Sequence, residues 1–167
     1  MTRAKVGAVV LVAIIVQRVF LDGVHLGGSH LDLMLLLPIA AGVAAGSETG
    51  AVVGFVAGAV ADLFLPTPFG LSALTFSLLG FAVGSVQEGL LRAAWWITPV
   101  TAFVSSAVGV VLFALIGAVV GQAHFVRPAL LGIAFVVALG NAALALPVVR
   151  VVTWALARSG PAAAYAR

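Results

Sequence analysis

The sequence predicts an all-α integral membrane protein, a polytopic bundle of about six transmembrane helices. Hydrophobic residues make up 63% of the 167 residues, charged residues make up 8%, and the mean hydropathy is +1.29. A soluble domain is about 45–50% apolar and about 25% charged. The apolar residues form six runs that lack the alternation of barrel strands. Because backbone groups in lipid must be paired within the protein, each run is expected to be a helix.

Six apolar segments are separated by breaks that hold most of the turn-forming and charged residues. Their expected bounds are 6–21, 31–45, 51–65, 71–86, 95–120 and 129–149. The first segment resembles a signal peptide but is not followed by a small-residue cleavage site, so it is interpreted as an uncleaved helix. A full span needs about 20 residues. The second, third and fourth segments are shorter, so they extend into their turns, thin the bilayer or enter it part-way.

The basic residues predict the orientation of the chain. With a cytoplasmic N-terminus and six spans, six basic residues lie inside and two outside, as the positive-inside rule requires. The inner set is Arg3, Lys5, Arg92, Arg150, Arg158 and Arg167, and the outer set is Arg18 and Arg127. Both termini are therefore expected in the cytoplasm, with residues 1–158 forming one transmembrane domain and 159–167 a short cytoplasmic tail.

Aromatic and basic residues at the segment ends are candidate anchors in the head-group layer. They are Trp95, Trp96, Arg150, Trp154 and Arg158. The last three are spaced four apart and so share one face of a helix end. The net charge of +3 is dispersed over segment ends, which favours membrane lipids as partners and argues against nucleic acid.

Small residues recur at every fourth position from the second segment into the third. The series is Gly42, Gly46, Gly50, Gly54 and Gly58, and Asp62 follows at the same spacing. This places Gly54, Gly58 and Asp62 on one helix face, where another backbone can approach closely. Two interpretations remain open: packing within the chain, and docking of a partner's helix.

Two carboxylates stand out because an ionised group is costly in the hydrocarbon. Asp62 is expected to face the bundle interior, a cavity or a partner, unless it reaches the outer head groups. Asp32 opens the second segment, where a carboxylate can cap the free N–H groups of a helix.

The remaining polar residues do not form a pattern typical of catalysis. Arg18 could pair with Asp22, although snorkelling to the interface is favoured, and Glu88 could pair with Arg92 as an exposed ion pair. The histidines, His25, His30 and His124, do not match an established metal-ligand spacing. The sequence has no cysteine, and we expect no metal, no cofactor and no enzymatic activity.

Residues 31–84 contain four short motifs in a fixed order: Asp32 before a leucine run, the Gly-rich 50–58 leading to Asp62-Leu63, Pro68-Phe69-Gly70-Leu71, and Leu79-Gly80-Phe81 with Gly84. Together these motifs resemble the bacterial rod shape-determining protein family MreD. Leu31 departs from the proline that is usual in the family. The resemblance implies a helical arrangement similar to the substrate-binding subunits of energy-coupling-factor vitamin transporters.

The same resemblance implies a non-enzymatic component of the cell-elongation machinery in the bacterial inner membrane. Its expected partner is an MreC-like bitopic protein and, through it, the glycosyltransferase RodA, a class B penicillin-binding protein and the actin-like MreB; a homo-oligomer is also possible. The residues implied in a partner-docking surface or cavity are Asp32, Gly54, Gly58, Asp62, Pro68 and Gly70.

An alternative function is the substrate-binding membrane subunit of a small-molecule transporter. This alternative predicts a polar, outward-open pocket. The segments offer few polar side chains for such a pocket, mainly Asp32, Asp62, Ser72, Thr75 and Asn141. That scarcity favours the scaffold interpretation.

Overall fold

The computed structural model describes residues 2–17, 19, 32–64, 67–89, 96–122 and 128–157. This part of the chain contains six helices and no strand: α1 (Thr2–Val16), α2 (Leu33–Ala45), α3 (Ser47–Asp62), α4 (Leu71–Gly89), α5 (Ile97–Val119) and α6 (Leu130–Leu156). The all-α prediction is therefore confirmed for the described residues. Several predictions fall on residues outside the described part: Arg18, Asp22, Arg92, Trp95, Arg127, Arg158, the three histidines and the tail 159–167.

Helix α2 lies at the centre of the bundle and contacts each of the other five helices. Its residues from Leu33 to Gly42 are all buried. A helix that is hydrophobic on every side must be enclosed by protein or lipid, and here other helices of the same chain enclose it. The leucine run that opens the second segment is therefore the core of the protein.

The turn between α2 and α3 is shorter than the sequence predicts. Residues 46–50 were expected to form a break, yet α3 begins at Ser47 and only Gly46 separates the two helices. Gly46 has φ of 86°, a left-handed conformation that glycine adopts without steric cost. Ser47 and Glu48 then fall in the first turn of α3, where an acidic side chain is favourable.

Helix α6 continues beyond the apolar segment that ends at residue 149 and reaches Leu156, which agrees with the expected helix end that carries Arg150 and Trp154. Its interior contains Pro147, and its last two turns carry Arg150 and Trp154, both exposed. Polar residues near a membrane interface do not interrupt a helix, because their side chains can reach the head groups while the backbone stays paired.

The long helices present apolar faces outward. Helices α5 and α6 are long and apolar enough to cross a membrane, and only 28% of the most apolar window of each is buried inside the protein. The core helix of a soluble protein would be mostly buried, so these outward faces are typical of contact with lipid. The apolar parts of α1, α2 and α4 are shorter, and α2, with 13 residues, is about 20 Å long.

Candidate functional site: a carboxylate clamp on a glycine-packed helix pair

Asp62 is the last residue of α3 and is 5% exposed. Its Oδ2 accepts hydrogen bonds from the backbone N–H groups of Gly70 (2.8 Å) and Ala73 (3.3 Å), and its Oδ1 accepts one from Ser72 (3.1 Å). Gly70 precedes α4, and Ser72 and Ala73 lie in its first turn. We refer to this arrangement as the Asp62 clamp.

The clamp supplies hydrogen-bond acceptors for the backbone N–H groups at the beginning of α4. The first N–H groups of a helix have no partner within the helix, and they carry the positive end of the helix dipole. An ionised carboxylate is a strong acceptor for such groups. Asp62 thus acts as a cap from a neighbouring helix, and it lies in the bundle interior.

Pro68 and Gly70 shape the turn that delivers the N–H groups to Asp62. The carbonyl of Pro68 accepts a hydrogen bond from Leu71 N at 3.2 Å, and that of Gly70 accepts one from Leu74 N at 2.9 Å. Gly70 has φ of 100°, which disfavours residues with a Cβ. The turn therefore needs glycine at this position, and it closes eight residues after Asp62.

Helices α3 and α4 run in opposite directions and pack backbone against backbone. A Cβ at Gly54 would meet the carbonyl of Phe76, and a Cβ at Gly58 would meet the carbonyl of Ser72. Gly50 and Gly80 face each other in the same way, and Gly84 lies against Ser47. Gly54 and Gly58 are therefore covered by α4, which corresponds to the packing alternative that the sequence left open.

Asp32 caps α2, as the sequence predicts. Its Oδ1 accepts a hydrogen bond from Leu35 N at 2.9 Å. The N–H of Leu33, the first residue of α2, donates to Gln17 Oε1 at 2.7 Å. Gln17 directly follows α1, so this bond joins the end of α1 to the start of α2. Sequence reasoning did not single out Gln17; the signal available was an amide at the end of an apolar run.

Asp32 also lines a partly enclosed cavity of about 460 Å³. The other lining residues come from all six helices and adjoining turns: Ile14, Gln17, Met34, Leu35, Ala61, Phe64, Ser72, Phe76, Gly109, Val110, Phe113, Ile133 and Val137. Most of them are apolar. Asp62 is not among them, but its bond to Ser72 N places it directly behind the wall.

The predicted interface anchors that the structure describes are exposed. Trp96 is 57% exposed before the start of α5, and Trp154 is 62% exposed near the end of α6. The ammonium of Lys5 lies 5.0 Å from the centre of the Trp154 ring, a distance typical of a cation–π contact. The start of α1 and the end of α6 therefore lie together.

One buried and one partly buried polar pair also join other helices. Asn141 of α6 donates to Ser106 Oγ of α5 at 3.0 Å, and Gln87 of α4 donates to Thr101 Oγ1 of α5 at 3.0 Å. Such bonds hold helices together where lipid supplies no hydrophobic drive. No group of three or more metal-ligating side chains occurs within the described ranges.

Long lipid-facing helices, close glycine contacts and interhelical polar bonds together are typical of a helical membrane protein. A sequence model of one family, described as "MreD: rod shape-determining protein MreD", matches residues 4–150. The chain therefore belongs to the MreD family, a membrane-protein family of the MreBCD shape-determining system, and the predicted resemblance is confirmed. Comparisons with curated proteins and with solved structures each found no significant match.

Proposed function

We propose that this protein is a non-enzymatic scaffold or regulatory component of the bacterial cell-elongation machinery, which directs peptidoglycan synthesis during rod growth. Family membership supports a role in rod shape. The observation that carries the scaffold role is the Asp62 clamp, because a buried carboxylate is here used to hold one helix against another. The proposed direct partner is an MreC-like bitopic protein, with RodA, a class B penicillin-binding protein and MreB reached through it.

In this proposal the predicted site residues act by shaping the bundle. Gly54 and Gly58 are covered by α4, so their effect on a partner would be indirect, through the spacing of α3 and α4. Asp32, Asp62, Pro68 and Gly70 lie at the helix ends around the start of α2 and α4. They would set the outer surface of the bundle at that end.

We further propose six membrane crossings with both termini in the cytoplasm. The contact between Lys5 and Trp154 supports this arrangement, because an even number of crossings returns the end of the chain to the side where it began. The exposed Arg150 lies one turn before Trp154. Basic and aromatic residues together are typical of the cytoplasmic interface.

The test is affinity purification of the tagged protein from native membranes in mild detergent, followed by mass spectrometry of the co-purified proteins. We expect an MreC-like bitopic protein and wall-synthesis enzymes to be enriched. Asp62→Asn, compared at equal amounts of folded protein, should lower their yield and impair rod shape, whereas Glu48→Gln, an exposed carboxylate on the same helix, should not. Equal yields from both variants would contradict the role of the clamp in partner assembly.

The transporter alternative predicts different co-purifying proteins, namely ATP-binding cassette subunits, or a bound vitamin. The structural feature relevant to the transporter alternative is the cavity that Asp32 lines. Its polar lining within the described part of the chain consists of Gln17, Asp32 and Ser72, which is little for a strongly polar substrate. Recovery of cassette subunits in place of wall-synthesis proteins would overturn the scaffold proposal.

A further inference from the structure

The turn between α2 and α3 does not reach as far as the start of α5. A Cβ at Gly84 of α4 would meet the backbone of Gly46 and Ser47, so the turn lies beside Gly84. Gln87, three residues further along α4, donates to Thr101 Oγ1 of α5 at 3.0 Å. Because α4 and α5 run in opposite directions, the turn lies three residues beyond Thr101, level with residue 104 of α5.

The depth of the turn follows from the rise of an α-helix, about 1.5 Å per residue. Helix α5 begins at Ile97, seven residues before residue 104, so the turn stops about 10 Å short of the start of α5. Trp96 precedes α5 and is 57% exposed, and an exposed tryptophan at a helix start is typical of the head-group layer. The turn therefore lies about one leaflet's depth away from that layer.

At the other side of the bundle the helix ends are nearly level. A Cβ at Gly109 of α5 would meet the side chain of Leu79 of α4. From that level α4 extends eight residues to Leu71 and α5 extends ten residues to Val119, a difference of about 3 Å. Asp62 ends α3 beside the start of α4. The shortness of α2 and α3 is therefore a deficit on the side of the α2–α3 turn.

The exposed surfaces of α3 and α5 show the same deficit. Exposed apolar side chains extend from Val100 to Val119 on α5 and from Val52 to Leu63 on α3. At about 1.5 Å per residue these bands are about 29 Å and about 17 Å long. The hydrocarbon core of a bilayer is about 30 Å thick. The outer face of α5 matches a whole bilayer, whereas that of α3 matches little more than half of one.

A carboxylate follows the apolar band of α3. Glu48 is exposed and lies four and seven residues before Val52 and Phe55, which are also exposed, so the three share one outward face. An ionised side chain in hydrocarbon is costly. Two helix ends also meet at Gly46, and hydrocarbon cannot pair the backbone groups that helix ends leave open. Head groups or water are therefore needed at the level of Glu48.

We propose that the cytoplasmic leaflet is indented by about 10 Å beside the α2–α3 turn, and that this side of the bundle binds phospholipids with short acyl chains. A span shorter than the bilayer is accommodated by thinning of the surrounding lipid, and short chains need less compression. Thinning then accounts for the short second and third segments of the sequence. The inference rests on the proposed orientation, which places the α2–α3 turn on the cytoplasmic side.

The indentation is tested with two single cysteines at the same level, since the sequence has no cysteine of its own. Ala45→Cys lies at the exposed end of α2, and Val104→Cys lies on the outer face of α5, where Val104 is 53% exposed. In inverted membrane vesicles, an impermeant maleimide should label the first at least about tenfold faster than the second, because the reactive thiolate is disfavoured in an apolar environment. Denaturation in dodecyl sulfate before labelling should make the two rates equal.

Two results would overturn the indentation. If neither cysteine reacts, the α2–α3 hairpin ends within the hydrocarbon as a re-entrant pair. If both react equally, the head-group layer lies at this level around the whole bundle. A contrast between Ala45→Cys and Val104→Cys that appears only in right-side-out vesicles would contradict the proposed orientation and still support thinning at the turn.

Lipid selection is measured by fluorescence in protein whose three native tryptophans, Trp95, Trp96 and Trp154, are replaced by phenylalanine. Phe55→Trp and Val108→Trp then report lipids beside the exposed faces of α3 and α5. Each variant is reconstituted in dioleoylphosphatidylcholine with a brominated phosphatidylcholine of shorter or longer chains. Beside Phe55→Trp the shorter lipid should bind about twofold better than the longer one, and beside Val108→Trp it should not. The same chain-length preference at both positions would overturn the proposed selection.

Discussion

Replacing Asp62 by alanine removes the acceptor of three backbone N–H groups at the start of α4. A hydrogen bond to a charged group contributes about 1.5–3 kcal/mol, and a buried donor without a partner costs about 1–3 kcal/mol. The three bonds share one carboxylate and do not add fully. We therefore expect Asp62→Ala to lower the free energy of unfolding by about 3–4 kcal/mol, which is about a hundredfold to a thousandfold in the unfolding equilibrium.

A graded series separates the clamp from a general effect of substitution. Asp62→Asn keeps one acceptor oxygen, which can serve Gly70 and Ala73 or Ser72 but not all three, and it loses the charge. Its cost should be about half that of Asp62→Ala. Glu48→Gln is the matched control, because it removes an exposed carboxylate from the first turn of the same helix and costs at most about 1 kcal/mol.

The assay is thermal unfolding of the purified protein in detergent, followed by size-exclusion chromatography of the fraction that stays folded. The midpoints should fall in the order unmodified protein, Glu48→Gln, Asp62→Asn and Asp62→Ala, and the last should lie about 10 °C below the first. An Asp62→Ala midpoint close to that of Glu48→Gln would refute the reasoning, because three bonds to a buried carboxylate could not then contribute measurably.

Two further predictions concern packing and topology. Gly54→Ala should destabilise the protein by about 1–3 kcal/mol because its Cβ meets the Phe76 carbonyl. Gly132→Ala, with open space around it, should instead stabilise α6 by up to about 1 kcal/mol. The same thermal assay measures both, and unfolding midpoints that shift in the same direction would contradict the packing. Because the sequence has no cysteine, Phe69→Cys and Ala157→Cys can be labelled without background. In intact spheroplasts an impermeant maleimide should label the first and not the second, and equal labelling would contradict the proposed orientation.

The helices could be predicted from the sequence, whereas their ends depended on local chemistry that hydropathy does not register. Residues 46–50 read as a break because they contain two glycines and three polar residues. The structure uses Gly46 alone as the turn and starts α3 at once. The last apolar run ends at 149, whereas α6 continues through Arg150 and Trp154, as their four-residue spacing on one helix face predicts.

The site could be predicted only in part. The cost of burying a carboxylate predicted that Asp62 needs a partner, and the spacing of the glycines predicted close backbone packing. The donors that bond to Asp62 depend on the antiparallel packing of α3 and α4, which places Asp62 beside Gly70 and Ser72. The Pro-x-Gly turn that follows Asp62 was the available signal, because such a turn brings the next helix start back to the end of the last helix.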